Sequence, residues 1–594
     1  MAELGNIVAR QSDLQWRFDF LPLEKNAQFF VADFGAFLKR DLVRALEHQR
    51  RNNEGNARCL LPGSGDREIE PAAILDTLKT KISDVLLCVF YHRMIIILDV
   101  MNPGSANRDI SRAWAYHNTT KHSEWSIRSV QHYLDWKNQP LAHKIYTTIE
   151  PIPLPRDAEQ TGISALSAIS TTGAPSDGER APSLSDLARI LFFSAGITKK
   201  KTYPGGEMYF RAASCTGALY EIELYVVCGE LPGLRAGVYH FTPGDFALRL
   251  LRTGDYRGAL ELHVPAAIIC TGTYWRNAWK YRARTYRHFG WDNGTIIANM
   301  LAMTTALHLP AVVHCNFADT DVNRLLDLDT NREVAFSLVT IGHTDRPLPA
   351  APAEIPVLGL PTVPLSEKEV DYPEMRAMHD ASSLGDSRSP DTKPEKHLRV
   401  SVVRPPYIAS QSTDTIEQVI LRRGSSRKFE RKPIALDQLE TILRASTQII
   451  PADFPPLNDI YLIVNAVEGL DPGAYVYDAG NGTLECLKRG NFRKEAHHLG
   501  LGQDLPGDAA ADVFFLADLH SILERFGNRG YKAAQLETGI LGNRMYLASY
   551  AQQLGTTGLT FFDDDVTGFF SPHAHGKSAI FLLAIGVGSR LSRW

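Results

Sequence analysis

Three stretches of the sequence combine residue types whose spacing could support chemistry, and the first is LRRGSSRKF, Leu421–Phe429. Arg423 and Arg427 enclose a glycine and two serines, the first of which is Ser425. Guanidinium groups beside hydroxyl groups are suited to bidentate recognition of a phosphate. The same composition is equally typical of a basic loop on a solvent-exposed face.

The second stretch is RAASCTGALYEIELYVV, Arg211–Val227, in which small and hydroxyl-bearing residues lead directly into an apolar run. The short side chains from Ser214 to Gly217 would allow a flat ligand to approach backbone N–H groups closely. An ordinary loop that enters a strand has the same pattern and, taken alone, is the more common explanation.

The third stretch is YWRNAWKYRARTYRHFG, Tyr274–Gly290, which places Lys280 beside Tyr281 among further aromatic residues. Burial among aromatics disfavours the ammonium form of a lysine, so Lys280 could serve as a general base. The alternative is a basic helix whose lysine stems cover aromatic rings, and without other information it is favoured.

An internal repeat predicts how these stretches are positioned. GLRAGVYHFTPGDFALRLLRTGDYR, Gly233–Arg257, aligns without a gap with GLDPGAYVYDAGNGTLECLKRGNFR, Gly469–Arg493. FSLVTIGHT, Phe336–Thr344, likewise corresponds to IFLLAIGVG, Ile580–Gly588. The period is too long for a solenoid and indicates two fused copies of one α/β domain. A duplicated domain commonly replaces a two-fold homodimer, which predicts a site between the halves.

The repeat divides the 594 residues into four parts. Residues 1–105 share nothing with the repeat and are predicted to be an accessory module. The first repeat occupies 106–346 and the second 401–594. Between them, residues 347–400 are rich in proline, serine and charge, which predicts an extended or mobile linker.

Within the repeats, β-branched runs alternate with long apolar segments. IELYVV, AAIICT and DIYLIV predict strands. GTIIANMLAMTTALHL and TGILGNRMYLASYAQQLG have 3.6-residue periodicity and are apolar almost throughout. They predict two buried helices that could pack across a pseudo-two-fold axis.

Bulk composition excludes several classes of function. The net charge of −4 gives no indication of a nucleic acid or anionic membrane partner. Seven scattered cysteines fit neither a metal site nor a disulfide framework, so no metal is predicted and a reducing cytoplasm is the expected location. The apolar run at 82–100 is interrupted by His92 and Arg93, which favours a buried element over a membrane span.

Together the stretches resemble the FMN-dependent nitroreductase family. RRGSSRKF resembles its flavin-phosphate arm, Arg-x-Ser-x-Arg/Lys-x-Phe. SCTGALYEIELYVV, GLRAGVYHFTPGDFALRLLRTGD and WRNAWKYRARTYR are similar to signatures of the SagB/ThcOx-type dehydrogenases within it. AWAYHNTTKHS, Ala113–Ser123, resembles the Tyr-His-x-x-Thr-Lys-His arm of that subgroup. The resemblance extends in family order from about residue 106 to the C-terminus.

The resemblance implies an α+β fold, an α/β sandwich, in which tandem nitroreductase-like domains form a pseudo-dimer beside a small N-terminal domain. It implies FMN as cofactor, held where the halves meet, as family members hold it between two protomers. It implies Lys280 and Tyr281 as the catalytic acid/base pair. The implied cofactor contacts are Arg423, Ser425, Arg427, Ser214, Cys215, Thr216, Gly217, His117, Thr119 and Lys121.

The two halves differ at these positions. Alignment places Lys280 opposite Arg525 and Tyr281 opposite Phe526. Arginine stays protonated and phenylalanine has no hydroxyl, so the second half lacks the acid/base pair. The fuller phosphate arm, in contrast, lies in the second half. We therefore expect one competent composite site per chain. Cys215 and Thr216 also replace the subgroup's usual Ala-Gly, and Glu221 its usual Pro, which predicts a reshaped loop.

The function implied by the subgroup is oxidation of thiazoline or oxazoline rings to azoles in a ribosomally made peptide. The implied partners are that peptide and a cyclodehydratase. The nearest alternative is an NAD(P)H-dependent reductase of nitro, quinone or enone acceptors, and another FMN-dependent peptide desaturation is also open. A non-catalytic scaffold in a peptide-maturation complex is the alternative from another class. The sequence leaves a further association of pseudo-dimers open.

Overall fold

The computed structural model describes residues 103–129, 132–156, 160–171, 178–203, 206–385 and 412–589. The predicted N-terminal module, apart from its last three residues, and the apolar run at 82–100 lie outside the described residues. None of the helices in these segments combines the length and the apolar character needed to cross a bilayer.

The first half is built on an antiparallel sheet and a separate hairpin. Its described strands, in chain order, are β1 (Pro151–Pro153), β2 (Ile197–Tyr203), β3 (Gly206–Arg211), β4 (Ile222–Cys228), β5 (Gly237–Thr242), β6 (Ala247–Thr253), β7 (Ala266–Thr273), β8 (Ala311–His314) and β9 (Glu333–Ile341). Seven of them form one sheet in the order β1-β6-β5-β4-β7-β9-β8, and β2 pairs with β3.

The second half contains a sheet of similar construction. Its described strands are β10 (Phe429–Glu430), β11 (Ile434–Ala435), β12 (Asp459–Val464), β13 (Val467–Glu468), β14 (Gly473–Asp478), β15 (Thr483–Arg489), β16 (Ala511–Ala517), β17 (Gly555–Leu559) and β18 (Ser578–Gly588). The sheet order is β10-β18-β16-β12-β14-β15, and β17 also pairs with β18. The order β6-β5-β4-β7-β9-β8 is thus repeated as β15-β14-β12-β16-β18-β17, which confirms the predicted α+β fold class with two similar halves.

Helices cover these sheets and connect the halves. Those up to residue 385 are α1 (Pro103–Arg108), α2 (Ser111–Thr119), α3 (Glu124–Ser129), α4 (Ala165–Ser170), α5 (Leu184–Ala195), α6 (Tyr274–Tyr281), α7 (Thr285–Ala306), α8 (Asp319–Leu325) and α9 (Pro373–Ser382). Those from residue 412 are α10 (Ile416–Arg422), α11 (Leu436–Ser446), α12 (Arg493–Leu499), α13 (Asp504–Asp508), α14 (Leu519–Phe526), α15 (Asn528–Ala551) and α16 (Asp563–Phe570). The predicted strands and the two predicted buried helices are confirmed by β4, β7, β12, α7 and α15.

The two long helices α7 and α15 pack directly on each other. Each is buried on almost every face, as the long apolar segment within it predicts. A Cβ on Gly294 would lie 2.5 Å from the carbonyl oxygen of Leu536, and Gly539 lies on the other side of the same contact. Trp291 Nε1 donates to Gln535 Oε1 at 2.6 Å across the crossing. The glycines therefore let the backbones meet, and one core extends through both halves.

A buried ion-pair cluster joins the halves at one end of this crossing. Asp563 of the second half accepts from Arg284 Nη1 at 3.1 Å and from Arg287 Nη1 at 2.6 Å. It also accepts the backbone N–H of His122 at 2.8 Å. Burial alone would raise the pKa of Asp563, but the two guanidinium groups hold it below its ordinary value. The first half thus supplies the cations and the second half the carboxylate.

The corresponding cluster at the start of α15 has the opposite arrangement. Asp319 of the first half accepts from Arg529 Nη1 of the second half at 2.6 Å, and Lys532 Nζ lies 3.6 Å from its other oxygen. All three side chains are buried. In these two clusters each half therefore contributes one carboxylate and two cations.

The described part of the predicted linker is not extended throughout. Residues 373–382 form helix α9, and Met375 and Met378 on it are buried. Ser382 Oγ lies 3.0 Å from Tyr286 Oη of α7, and its carbonyl accepts from Arg529 Nη1 of α15 at 3.1 Å. The helix differs from the expected extended connection because it carries apolar side chains that the core buries.

Candidate active site

A cavity of about 850 Å³, here called the seam cavity, lies between the two halves. Its lining from the first half comes from His122 and from residues 198–220 and 280–295. Its lining from the second half comes from 423–427, 503–505, 546–560 and Phe581. Such a volume is in the range of cofactor and substrate pockets.

The loop Ser214–Tyr220 forms one wall of the seam cavity and is anchored by Asp292 of helix α7. The backbone N–H of Thr216 donates to both carboxylate oxygens of Asp292, at 3.0 and 2.9 Å, and its hydroxyl donates to one of them at 2.9 Å. Cys215 Sγ lies 3.3 Å from Asp292 and 3.4 Å from Glu221. Burial and then Glu221 raise the pKa of Asp292 well above its ordinary value, so the Asp292 carboxyl holds a proton more readily than usual. The three residues that differ from the subgroup's usual ones, Cys215, Thr216 and Glu221, therefore all contact the same buried aspartate.

The same loop adopts backbone conformations that side chains rarely take. Gly217, Ala218 and Tyr220 have φ values of 64°, 54° and 54°. A Cβ on Gly217 would lie 2.8 Å from Tyr281 Oη. Strained loops that other contacts hold in place are typical of functional sites.

Lys280 and Tyr281 are the last residues of helix α6 and both line the seam cavity. The chain leaves the helix at Arg282, where φ is 53°, before α7 begins. Burial and the nearby Arg427 lower the pKa of Lys280. Burial and the Asp292 carboxyl raise the pKa of Tyr281. At neutral pH the pair therefore combines an amine that releases its proton more easily than usual with a phenol that keeps its own.

The residues 423–427, here called the 423–427 arm, reach the seam cavity from the second half. Helix α10 begins with a capping box between Thr415 and Gln418 and ends just before the arm. Arg423 is buried and donates through Nε to the carbonyl of Ala212 at 3.0 Å. Ser425 Oγ lies 3.3 Å from Tyr546 Oη. The arm is thus held against the first half while it faces the cavity.

The seam cavity is strongly electropositive. Within the described part of the chain its lining contains one carboxylate, Asp292, and six cationic side chains: Lys199, Lys201, Arg211, Lys280, Arg423 and Arg427. Burial lowers the pKa of His122 to about 3 and that of His288 well below its ordinary value, so neither histidine adds charge. The lining is suited to an anionic ligand.

The pseudo-equivalent place in the second half is a different kind of cleft. Among the described residues, those that line this second cleft, of about 680 Å³, all fall between 447 and 573, and Arg525 and Phe526 hold the positions of Lys280 and Tyr281. Five of its lining residues are acidic and one is an arginine. It is therefore neither shared by the halves nor suited to an anion.

A segment of the second half closes the seam next to the second cleft. The carbonyl of Pro451 accepts from the N–H of Val313 at 2.8 Å, and the N–H of Asp453 donates to the carbonyl of Val313 at 3.0 Å. The Asp453 carboxylate accepts the N–H groups of Cys315 and Asn316, both at 2.9 Å. The backbone donors of the first half are thus already occupied there.

The structure brings nine of the predicted site residues to the seam cavity and leaves three elsewhere. Those in its lining are Lys280, Tyr281, Ser214, Cys215, Thr216, Gly217, Arg423, Ser425 and Arg427. His117 is buried beside Tyr531, Thr119 bonds to its own helix, and Lys121 pairs with Asp564 at 2.8 Å. Their placement does not support a cofactor contact at this cavity, because interactions between the halves occupy the side chains of His117 and Lys121.

Sequence reasoning missed Asp292, Tyr546 and the hairpin residues Lys199 and Lys201, which also line the cavity. Asp292 and Tyr546 lie within long apolar helices and carry no local signal. The hairpin did carry a local signal, because in KKKTY the alternate residues Lys199 and Lys201 lie on the same face of a strand.

Comparison with known proteins is consistent with this architecture. Residues 420–589 match the model of the nitroreductase family. A protein of Methanocaldococcus jannaschii that is provisionally named a nitroreductase is 24% identical over 169 residues, which are 27% of this chain and 80% of that protein. The crystal structure of a protein from Anabaena variabilis, also provisionally named a nitroreductase, aligns with a TM-score of 0.62 at 25% identity. That alignment covers 80% of this chain and 99% of the other, so it includes both halves. The second half therefore contains a nitroreductase-family domain, and the nitroreductase fold extends over both halves of the chain.

Proposed function

We propose that this chain is an FMN-dependent oxidoreductase that oxidises azoline rings to azoles in a ribosomally made peptide. The observation that carries the proposal is that Lys280 and Tyr281 of the first half and the 423–427 arm of the second half line one cavity. The motifs that resemble SagB/ThcOx-type dehydrogenases support the choice of substrate class.

The donor set of the seam cavity fits a flavin with a phosphate. Arg427 has no ion-pair partner among the described residues, and Arg423 donates only to backbone carbonyls there. These cations would hold the phosphate or the polar edge of the ring, with Ser425 as a hydroxyl donor. The Ser214–Tyr220 loop would supply a flat wall for the ring. When bound, the flavin supplies the acceptor for the two electrons that leave the substrate.

Lys280 is the proposed base. Its lowered pKa increases the fraction of neutral amine, which can take the proton from the substrate carbon beside the ring heteroatom. Tyr281 keeps its proton, and its hydroxyl would donate a hydrogen bond to that heteroatom or to the neighbouring carbonyl. Lys280 Nζ would take the proton, the two electrons would leave with the second hydrogen for the acceptor that a bound flavin supplies, and the aromatic product would make the step favourable.

We further propose one cofactor per chain. The acidic lining of the second cleft and the occupied N–H groups of Cys315 and Asn316 support this stoichiometry. Quantification of FMN released from the denatured protein tests it. Two tightly bound molecules per chain would contradict the proposal.

Replacing Lys280 by alanine tests the assignment of the base. The K280A protein should keep its bound flavin, while anaerobic reduction of the flavin by an azoline-containing peptide slows by about 10²–10⁴-fold. Arg525→Ala is the matched control, because Arg525 holds the equivalent position in the second half, and it should leave the rate unchanged. Equal rates for wild type and K280A would contradict the assignment.

The substrate class is tested separately. The product peptide should be lighter by about 2 Da for each ring oxidised, as expected for loss of two hydrogen atoms. Rapid anaerobic bleaching of the flavin by NADPH, with no reduction by azoline peptides, would instead establish a reductase of small acceptors.

A further inference from the structure

The β2–β3 hairpin covers the seam cavity with one of its two faces. In its register Lys199 is opposite Phe210 and Lys201 is opposite Met208. All four residues, with Tyr203, line the cavity, whereas Lys200 and Tyr209 alternate with them and do not. Tyr203 and Met208 are 46% and 44% exposed, so this face lies where the cavity opens to solvent.

This hairpin face adds positive charge beyond what a flavin phosphate would neutralise. A phosphate monoester carries about −1.5 to −2 at neutral pH, while the lining has six cations and one buried carboxylate. Lys199 has no ion-pair partner among the described residues, and burial together with Arg423 lowers its pKa. An anion placed beside Lys199 would relieve this repulsion.

The second cleft shows that this charge is not a general property of the fold. It has the same topological position in the other half, yet five acidic residues and one arginine line it. Arg525 and Phe526 there occupy the positions of Lys280 and Tyr281. The excess of cations is therefore specific to the cavity that carries the proposed acid/base pair.

We propose that the inward face of the β2–β3 hairpin recognises the substrate, and that the substrate carries carboxylates next to an apolar group beside its reacting ring. Lys199 and Lys201 would pair with the carboxylates, while Tyr203, Met208 and Phe210 would cover the apolar part. This inference rests on the proposed function, in which the substrate is a peptide, and it makes that peptide acidic near the reacting ring. A free dicarboxylic acid has the same chemistry, and the test distinguishes the two sources.

Fluorescence anisotropy of the flavin-loaded protein with two labelled peptides tests the proposal. One probe is a fluorescein-labelled decapeptide of alternating glutamate and leucine, and the other has lysine in place of glutamate. We expect the acidic probe to bind with an affinity that falls as NaCl is added, and the lysine probe not to bind. Equal binding of both probes would overturn the proposal.

Three lysine variants locate the binding. Lys199→Met should weaken binding of the acidic probe by about tenfold, since this lysine is half-buried, and Lys201→Met by about threefold, since it is exposed. Lys200→Met is the matched control, because its side chain lies on the outer face and pairs with Glu207 at 2.5 Å. It should bind within about twofold of wild type. Wild-type affinity in both K199M and K201M, or an equal loss in K200M, would overturn the proposal.

Two further measurements separate the possible outcomes. If N-acetylglutamate displaces the acidic probe only at millimolar concentration, the ligand of this face is a peptide. If it displaces the probe as strongly as the unlabelled acidic peptide does, the ligand is a free acid. Flavin absorbance is recorded for every variant. A yellow protein that does not bind the acidic probe would overturn this inference and leave the proposed function intact, whereas a protein that cannot be loaded with flavin would refute the proposed function and, with it, this inference.

Discussion

Replacing Asp563 by asparagine is expected to destabilise the folded chain strongly, because this carboxylate compensates two buried arginines. The carboxylate is 1% exposed and lies between Arg284 and Arg287, which are 4% and 0% exposed. No other acidic side chain of the described residues pairs with either arginine. In D563N, two buried guanidinium groups would therefore keep only neutral acceptors such as Thr120 and His117.

The expected magnitude follows from this burial. Removing one member of a buried ion pair costs about 3–5 kcal/mol, because a charge remains without compensation in a poorly solvated place. Asp563 compensates two such charges, so the upper part of that range applies. Since domains of ordinary size are stable by about 5–15 kcal/mol, D563N would lose a large share of the total.

The adjacent residue provides the control. Asp564 is 76% exposed and pairs with Lys121 at 2.8 Å, so D564N should cost about 0–1 kcal/mol. Urea titration followed by tryptophan fluorescence is a suitable assay, because Trp291 lies 5.9 Å from the Arg284 guanidinium and reports on this region. A difference between D563N and D564N below about 1 kcal/mol would refute the reasoning, since it would mean that water or local rearrangement compensates the two arginines.

Three further predictions concern the seam cavity and the core. Gly217→Ala places a Cβ 2.8 Å from Tyr281 Oη at a residue with positive φ. We expect kcat to fall about 100-fold while the protein keeps its flavin. A kcat equal to that of wild type would show that the loop accommodates the methyl group. Arg427→Gln removes a cation that lowers the pKa of Lys280, so this pKa should rise in the variant. The acid limb of the kcat–pH profile, measured at saturating FMN, should then move to higher pH. An acid limb at the wild-type position would mean that a group other than Lys280 controls it. Burial lowers the pKa of Lys532 from 10.5 to about 7. Between pH 7 and 10.5 the unfolded chain therefore binds a proton that the folded chain lacks, so the free energy of unfolding rises with pH. In K532M this rise should be smaller in urea titrations at pH 7 and 9, and parallel curves for wild type and variant would contradict the assignment.

The sequence by itself determined the elements and their duplication. The gapless hairpin repeat and the runs of β-branched residues predicted strands that are found in the two sheets. This was possible because the alternation of side chains between the two faces of a strand is a local property of the sequence. Segments that are apolar almost throughout predicted α7 and α15 as interior helices, because a helix with so few polar residues has no polar face to present to water. Lys280, Tyr281 and the 423–427 arm were found for the same reason, as each lies within one short stretch of distinctive composition.

Only the tertiary structure decided which of these stretches meet, and it did so through contacts distant in the chain. The arm and the Lys280–Tyr281 pair share a cavity because α7 and α15 cross at Gly294 and Gly539. Asp292 anchors a loop that precedes it by about 76 residues, a partnership without any local pattern. The closure of the other seam by Asp453 depends equally on pairing with the distant strand β8.

The charge of the two clefts illustrates the same division. The chain as a whole is nearly balanced, with 63 basic and 67 acidic residues, and composition alone gives no indication of an anionic partner. Folding gathers six cations into one cavity and five acids into the pseudo-equivalent cleft. Coulomb interactions depend on distance in space and on burial rather than on position in the chain, so the selectivity of each cleft emerges only once the halves are packed together.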